Sequence, residues 1–319
     1  MQALTPHVFP KFYTIQFLRF VAALFVMFFH LNIMGSGYKG VDVFFVISGF
    51  VMYYSTLIVT HKSVQIFLLN RLTKIYILYW LVLLAWYFVK PFKISGAFLG
   101  AFLLIPGHFP YIKVSWSLSY ELYFYFAFAA IVYLITRKIR LIFIAFFFIS
   151  SVVTFLQFTT FSLQGSLFNF LLGENFWEFL LGIFCCILAT KVSVNYRLAI
   201  ICCAVVGIVI TIVSVPYATT LGHVVYGPLA FLLVFFIVEY EKKAVLNKYF
   251  IKAVTTLGDA SYAIYLVAPL IADIIFPVHL PGKLLTMAAA IAISIIVNRY
   301  IETPLLVNGR RLVRMLIKK

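Results

Sequence analysis

The stretch IQFLRFVAALFVMFFHLNIMG, residues 15–35, decides the fold of this chain. A helix that spans a bilayer needs about 20 mostly apolar residues, and this stretch is long enough. It nevertheless contains Arg19 and His30, two ionisable side chains that lipid strongly disfavours. The stretch therefore predicts a membrane helix with two polar side chains that need a partner or a purpose.

The composition extends this interpretation to the whole chain. Of the 319 residues, 65% are hydrophobic and 11% are charged, whereas soluble domains average about 45–50% and 25%. The apolar runs are long and unbroken, unlike the short alternating strands of a membrane β-barrel. We therefore predict an all-α, polytopic membrane helix bundle of about ten transmembrane helices. The predicted spans are 14–34, 41–60, 75–90, 115–136, 141–160, 174–190, 198–214, 223–240, 258–276 and 284–303. Residues 97–105 are apolar but too short to span, which predicts a re-entrant or interfacial helix.

The distribution of basic residues predicts the orientation. With ten spans, alternate connections and the C-terminal tail hold most of the lysines and arginines behind the net charge of +16. Cytoplasmic loops of membrane proteins carry this excess, so both termini are predicted to be cytoplasmic. No basic stripe with interleaved aromatic residues lies outside the spans, so nucleic acid is not expected as a partner. The four cysteines lack zinc-binding spacing, and no metal is expected.

Arg19 and His30 share one face of the first predicted helix. They are eleven residues apart, a rotation of about 1100° that is roughly 20° beyond three full turns. Their side chains would then be separated by about 16 Å along the axis. One alternative is an arginine that snorkels to one membrane surface and a histidine satisfied near the other.

The stretch GVDVFFVISGF, residues 40–50, follows with Asp42 at the start of the second span. A short turn would bring this carboxylate to His30, where it could orient the imidazole for catalysis. Asp42 is equally well explained as a helix N-cap, and both interpretations stay open. Ser48 and Gly49 in the same stretch are typical of a small-residue helix contact.

Two further pairs lie on single helix faces. Arg71 and Lys74, three residues apart at the predicted cytoplasmic start of the third span, suit a polyanion such as a cofactor diphosphate or a lipid headgroup. They are also explained as plain cytoplasmic anchors. In VSWSLSYELYFYF, Ser117 and Glu121 are four residues apart, and an embedded glutamate needs a partner or a substrate. The preceding Trp116 is typical of an aromatic belt.

The order of these motifs, from Arg19 and His30 through GVDVFFVISGF, Arg71, SWSLSYELYFY, EFLLGI, LGDASYAIYL and IETPL, resembles the acyltransferase-3 family of bacterial integral-membrane O-acyltransferases. The resemblance covers residues 15–305. It implies one membrane domain over residues 1–319, with no appended soluble domain. It also implies transfer of an acyl group, usually acetyl, from cytoplasmic acetyl-CoA to a sugar hydroxyl. The acceptor would be a lipid-linked or surface glycan, such as O-antigen lipopolysaccharide or exopolysaccharide, at the outer face of the bacterial inner membrane.

The resemblance also implies roles for individual residues. With Asp42, which the position after His30 supplies, the catalytic candidates are His30, Arg19, Asp42 and Glu121. The acetyl-CoA candidates are Arg71, Lys74 and Arg19, and the acceptor candidates are Ser117, Trp116 and Glu121. The family's paired arginines are here Arg71 and Lys74, and lysine keeps the charge without bidentate phosphate geometry. Ala268 stands near the position where the family often has a later histidine. His30 would act as a general base or as a transient acyl carrier. A different class of protein remains an alternative, namely a glycolipid transporter or flippase whose buried charges line a pathway.

Overall fold

The computed structural model describes residues 12–56, 64–91, 96–106, 111–134, 139–159, 167–213, 220–275 and 279–317, and every regular element within these ranges is helical. The α-helices are α1 (Tyr13–His30), α2 (Gly40–Tyr53), α3 (Val64–Val89), α4 (Gly96–Phe102), α5 (Trp116–Leu134), α6 (Ile139–Thr159), α7 (Leu167–Leu172), α8 (Glu174–Ala189), α9 (Tyr196–Ile212), α10 (Thr220–Glu241), α11 (Lys248–Asp259), α12 (Ser261–Ile275), α13 (Leu280–Val297) and α14 (Thr303–Ile317). Turns of 3₁₀ helix occupy Gly37–Lys39 and Lys113–Ser115, and a π-helix, Asn298–Glu302, joins α13 to α14.

The predicted all-α membrane bundle is confirmed. Among the described residues, five helical segments are long and apolar enough to cross a membrane, or six if the pair α11–α12, bent by 54°, counts as one span. A helix lies at each of the ten predicted spans, but some are short, such as α2 with 14 residues. Six basic residues of the predicted connections and tail lie outside the described residues, namely Lys62, Lys93, Arg137, Lys138, Lys318 and Lys319.

The third span begins earlier than predicted. Helix α3 is continuous over 26 residues from Val64, rather than starting at residue 75. Arg71 and Lys74 therefore lie inside the helix and not before it. At 1.5 Å per residue, α3 is about 39 Å long, which exceeds the hydrocarbon thickness of about 30 Å.

The short helix α4 is held by α3 through its carbonyl end. The last carbonyls of a helix have no partner within the helix, and lipid supplies no donors for them. Tyr79 and Tyr76 donate hydrogen bonds of 2.7 and 2.8 Å, and Trp80 one of 3.1 Å, to the carbonyls of Ala101, Leu103 and Phe102 respectively. As predicted, the segment is too short to span, and its aromatic partners fix where it ends.

The N-terminus of α1 is tied to α10 by a carboxylate. Glu241 accepts hydrogen bonds from the backbone N–H groups of Tyr13 at 2.7 Å and Thr14 at 2.8 Å. These N–H groups have no partner within the helix, and a negative charge there also complements the helix dipole. The position of α1, and of Arg19 one and a half turns further along, is thereby fixed against α10.

Helices α2 and α8 cross at two glycines. A Cβ at Gly49 would lie 3.1 Å from the backbone nitrogen of Ile183, and one at Gly182 would lie 2.8 Å from that of Phe50. The predicted small-residue contact at Gly49 is confirmed, and Gly182 is its partner. The absence of both side chains brings the two backbones together.

We predict that Gly49→Ala destabilises the bundle by about 1–3 kcal/mol, because the new methyl group meets backbone that has no rotamer to change. The measurement is thermal unfolding of the detergent-purified protein. Gly207→Ala is the matched control, since a Cβ there has no neighbour within 4 Å and alanine is the better helix former. Equal unfolding midpoints for Gly49→Ala and the wild type would contradict the close crossing.

Candidate active site

A cavity of about 80 Å³ opens between α1, α2, α3, α5 and α12. Five of the sequence-predicted site residues line it, namely Arg19, Arg71, Lys74, Ser117 and Glu121. They come from three helices that are far apart in the sequence. The structure therefore brings the predicted cation pair and the predicted Ser–Glu pair to one place, together with Arg19 of the first span.

The electrostatics of this cavity favour an anion. Its lining holds three cationic side chains and one carboxylate, Glu121. The guanidinium of Arg71 lies over the rings of Phe67 and Tyr125, at 5.5 and 5.6 Å from their centroids. These ring contacts orient the planar group, and charge-assisted hydrogen bonds from such a group suit phosphate or carboxylate.

Hydroxyl groups fix the polar side chains of α5. The phenol of Tyr125 donates a hydrogen bond to Glu121, one turn earlier on the helix. The hydroxyls of Ser117 and Tyr265 are hydrogen-bonded at 2.6 Å, and Tyr265 also donates to the carbonyl of Val114 at 2.9 Å. The buried Ser117 is thus held by α12, and Glu121 keeps one phenol as a partner while it faces the cavity.

Trp116 lies beside the cavity and does not line it. As the first residue of α5, it places its ring edge-on to Phe45 at 6.4 Å and to Tyr120 at 6.0 Å. Phe45 does line the cavity. Trp116 therefore packs against Phe45 on the side that faces away from the cavity.

His30 has different surroundings. It is the last residue of α1, partly exposed, and is not among the residues that line the cavity. Lys113 and Asp273 act on it electrostatically, and Asp273 forms ion pairs with Lys90 at 2.6 Å and with Lys113 at 3.8 Å. Because α1 is unbroken, the predicted rise of about 16 Å between Arg19 and His30 applies.

Asp42 corrects a sequence-based expectation. Its Oδ1 lies 3.1 Å from Nδ1 of His223, and Oε1 of Glu178 lies 2.8 Å from the same nitrogen. Oδ2 of Asp42 has no hydrogen-bond partner within the described part of the chain. The structure therefore pairs Asp42 with α8 and α10 rather than with His30. Asp42 is not the N-cap of α2, because Lys39 holds that position and no side chain caps it; Asp42 does lie in the first turn, where its charge complements the helix dipole.

Lys39, in the turn before α2, is buried, and its ammonium group is satisfied by polar contacts. The ammonium of Lys39 donates to the carbonyl of Ile210 at 2.7 Å and to that of Val213, and lies 4.7 Å from the centroid of the Tyr226 ring. Burial, a hydrogen bond with Tyr226 and the nearby charge of Asp42 raise the pKa of Tyr38. This turn thereby packs against the C-terminal end of α9, three residues before Asp42.

Several of these residues were missed by sequence reasoning. His223 was the clearest omission, since an ionisable side chain within the predicted span 223–240 is itself a signal of function or pairing. Tyr125 and Tyr265 carry no such signal, because tyrosines are common throughout this chain, with 20 in all. Only the packing of α5 against α12 shows that Tyr265 holds Ser117.

Comparison with known proteins decides the family. The family model described as an acyltransferase domain, Acyl_transf_3, matches residues 12–299. The chain belongs to the acyltransferase-3 family. This acyltransferase is 28% identical over 316 residues to the exopolysaccharide production protein ExoZ of Rhizobium meliloti (strain 1021), which covers 86% of this chain and 91% of that protein. No solved structure significantly matches this chain.

The cation-lined cavity of this acyltransferase combines charged and neutral polar groups. Arg19, Arg71 and Lys74 present three positive charges within one small volume. Ser117, Tyr262 and Glu121 add hydroxyl and carboxylate groups to the same lining. The cavity can thus bind an anionic group and hydrogen-bond a neutral one beside it.

Proposed function

We propose that this acyltransferase moves an acetyl group from cytoplasmic acetyl-CoA to a hydroxyl group of a cell-envelope polysaccharide. The observation that carries the proposal is the cavity in which Arg19, Arg71 and Lys74 face Glu121. The donor carries phosphate groups, and three cations in one cavity suit them. We choose a polysaccharide as the acceptor because a relative is named for exopolysaccharide production. O-antigen is an alternative acceptor that also offers sugar hydroxyl groups.

The donor would enter from the cytoplasmic side. Arg71 and Lys74 lie on one face of α3, three residues apart. Arg71, oriented by two aromatic rings, would make the directional phosphate contact, and Lys74 would act as a point charge. Arg19 would meet the donor deeper in the bundle. The flexible pantetheine arm would then carry the thioester along α1 towards His30.

The transfer step would use His30 as a general base. Its imidazole accepts the proton of the acceptor hydroxyl while the oxygen attacks the thioester carbonyl carbon. A C–O bond forms, the C–S bond breaks, and the CoA thiolate leaves with the electron pair and is then protonated. A neutral imidazole can accept this proton at neutral pH. A transient acyl-histidine is the alternative form of the same step.

The acceptor would be held by polar groups of α5. Ser117 and Glu121 line the cavity, and the carboxylate can accept hydrogen bonds from sugar hydroxyls. Trp116 supports the adjacent wall through Phe45. Asp42 has no place in this machinery, because its carboxylate is committed to His223.

We further propose ten spans, both termini in the cytoplasm, a bacterial inner-membrane location and one membrane domain over residues 1–319. The ten helices that coincide with predicted spans support the count. The distribution of lysine and arginine supports the orientation. The donor cations at α3 and the exposed end of α1 would then face opposite sides of the membrane.

We predict that His30→Ala abolishes O-acetylation of the surface polysaccharide while the protein still accumulates in the membrane. Loss of a general base removes about 10²–10⁴-fold of rate. The measurement is NMR or mass spectrometry of polysaccharide from cells that carry the variant, the wild type or no gene. His279→Ala, at the start of α13, is the control and keeps acetylation. Normal acetylation by His30→Ala would exclude the proposed base, and loss of the polysaccharide itself would indicate an export function.

We predict that Arg71→Ala and Lys74→Ala raise the KM for acetyl-CoA at least tenfold, because each removes one charge-assisted contact worth about 1.5–3 kcal/mol. Lys74→Arg keeps the charge and should retain donor affinity. The measurement is acetyl-CoA-dependent turnover in membrane vesicles. Lys248→Ala, at the start of α11, is the control for general loss of positive charge. An unchanged KM in both alanine variants would remove the donor from this cavity.

We predict that a fluorescent reporter fused after Lys319 fluoresces in the cytoplasm, whereas a cysteine placed at Lys283 is labelled by a membrane-impermeant thiol reagent from the outside. The four native cysteines are replaced beforehand to remove background. Labelling at Lys243 in place of Lys283 would reverse the proposed orientation.

A further inference from the structure

A second polar group lies buried in the bundle, outside the cation-lined cavity. It consists of Asp42 from α2, Glu178 from α8 and His223 from α10. Their side chains are 1%, 0% and 9% exposed, and one potential metal-ligand atom from each lies within 4.8 Å of the other two. The proposed acyl transfer gives this group of three side chains no role.

Its hydrogen bonds leave the group incomplete. Nδ1 of His223 faces two carboxylate oxygens, at 2.8 and 3.1 Å, yet an imidazole nitrogen carries at most one proton. The other oxygens, Asp42 Oδ2 and Glu178 Oε2, are buried and have no hydrogen-bond partner within the described residues. Two separate side chains thus bury acceptor atoms to which no N–H or hydroxyl group of the described residues donates.

The charges point the same way. Two carboxylates beside one imidazolium leave a net negative charge, and an uncompensated charge in an apolar interior is costly. Lys39 precedes Asp42 by three residues but does not compensate it through any ion pair in the described part of the chain. Its ammonium is bound to the carbonyls of Ile210 and Val213 and lies over the Tyr226 ring.

A divalent cation resolves both deficits. With neutral His223 and two ionised carboxylates, a doubly charged ion makes the group electrically neutral and uses the unsatisfied oxygens as ligands. An imidazole nitrogen and carboxylate oxygens are ligands that zinc accepts, with three protein ligands and one open position in many sites. Manganese also accepts carboxylates, and imidazole binds several divalent metals.

We propose that Asp42, Glu178 and His223 form a binding site for a divalent transition-metal cation, zinc or manganese. The ion is a bridge between three helices. Asp42 lies two turns before Gly49 on α2, and Glu178 lies one turn before Gly182 on α8. The site therefore stands next to the glycine crossing and adds α10 to the α2–α8 contact. Its role is to hold these helices together, not to take part in acyl transfer.

No short motif indicates this site, because its three proposed ligands lie on separate helices. Metal-binding motifs are recognised by short spacings within one segment. Here the chain separations are 181 residues between Asp42 and His223 and 45 between Glu178 and His223. Only the folded bundle brings the three together.

The test uses the full-length protein, purified in detergent without a polyhistidine tag and stripped with EDTA. It is incubated with ZnCl₂ or MnCl₂, desalted, and analysed for metal by inductively coupled plasma mass spectrometry. We expect about one ion per chain and a higher midpoint of thermal unfolding after metal is restored. Wild-type protein that retains no ion above a buffer blank, with an unchanged midpoint, would overturn the proposal and leave a cluster that shares protons.

Variants locate the ion. Glu178→Gln and His223→Ala each remove one ligand, and the metal affinity is expected to fall more than tenfold. The matched controls are Glu174→Gln, one turn earlier on α8, and His279→Ala at the start of α13, which retain the ion. Equal metal content in His223→Ala and the wild type would overturn the site. If a variant fails to fold, the measurements on the wild type still decide whether an ion binds.

Discussion

The cost of burying charge in an apolar bundle organises this molecule. An ionisable side chain within a membrane-spanning helix needs a partner, because lipid supplies neither charge nor hydrogen bonds. In the described residues such side chains gather in small groups that draw on several helices. The cation-lined cavity joins α1, α3 and α5, and the Asp42 cluster joins α2, α8 and α10. Each group therefore constrains which helices are neighbours, while the apolar side chains fill the space between.

Close backbone approach makes one of these groups possible. Carboxylate side chains are short, so Asp42 and Glu178 can reach the same imidazole nitrogen only if α2 and α8 lie near each other. The glycines at 49 and 182 provide that approach, because each occupies a place where a Cβ would collide with the facing backbone. The crossing also explains why the stretch GVDVFFVISGF, residues 40–50, contains both small residues and an acidic one. Gly49 allows α2 and α8 to approach closely, and this short distance lets Asp42 reach the same imidazole as Glu178.

Local geometry was predictable from the sequence, and long-range pairing was not. The pairs Arg71–Lys74 and Ser117–Glu121 do line one cavity, since residues three or four apart share a helix face whatever surrounds them. Asp42 was expected beside His30 because the two are close in the chain. The structure instead places Asp42 against His223, 181 residues away, and no helix-face rule contains that information. The start of α3 was placed too late because Arg71 and Lys74 looked like the membrane edge. Inside the bundle they are tolerated because they face the cavity with Glu121.

The rigidity of α1 has a consequence for the proposed mechanism. Its N-terminal N–H groups are bound by Glu241 of α10, and the helix continues without a break to His30. Arg19 and His30 therefore stay about 16 Å apart along the axis, one in the cavity and one at the partly exposed end. Because α1 does not bend, it cannot bring Arg19 and His30 closer together. Under the proposed mechanism, the donor's flexible arm must span the distance between Arg19 and His30. The rigid helix α1 keeps that distance constant. This assigns the two polar residues that first distinguished this helix to opposite ends of one reaction path.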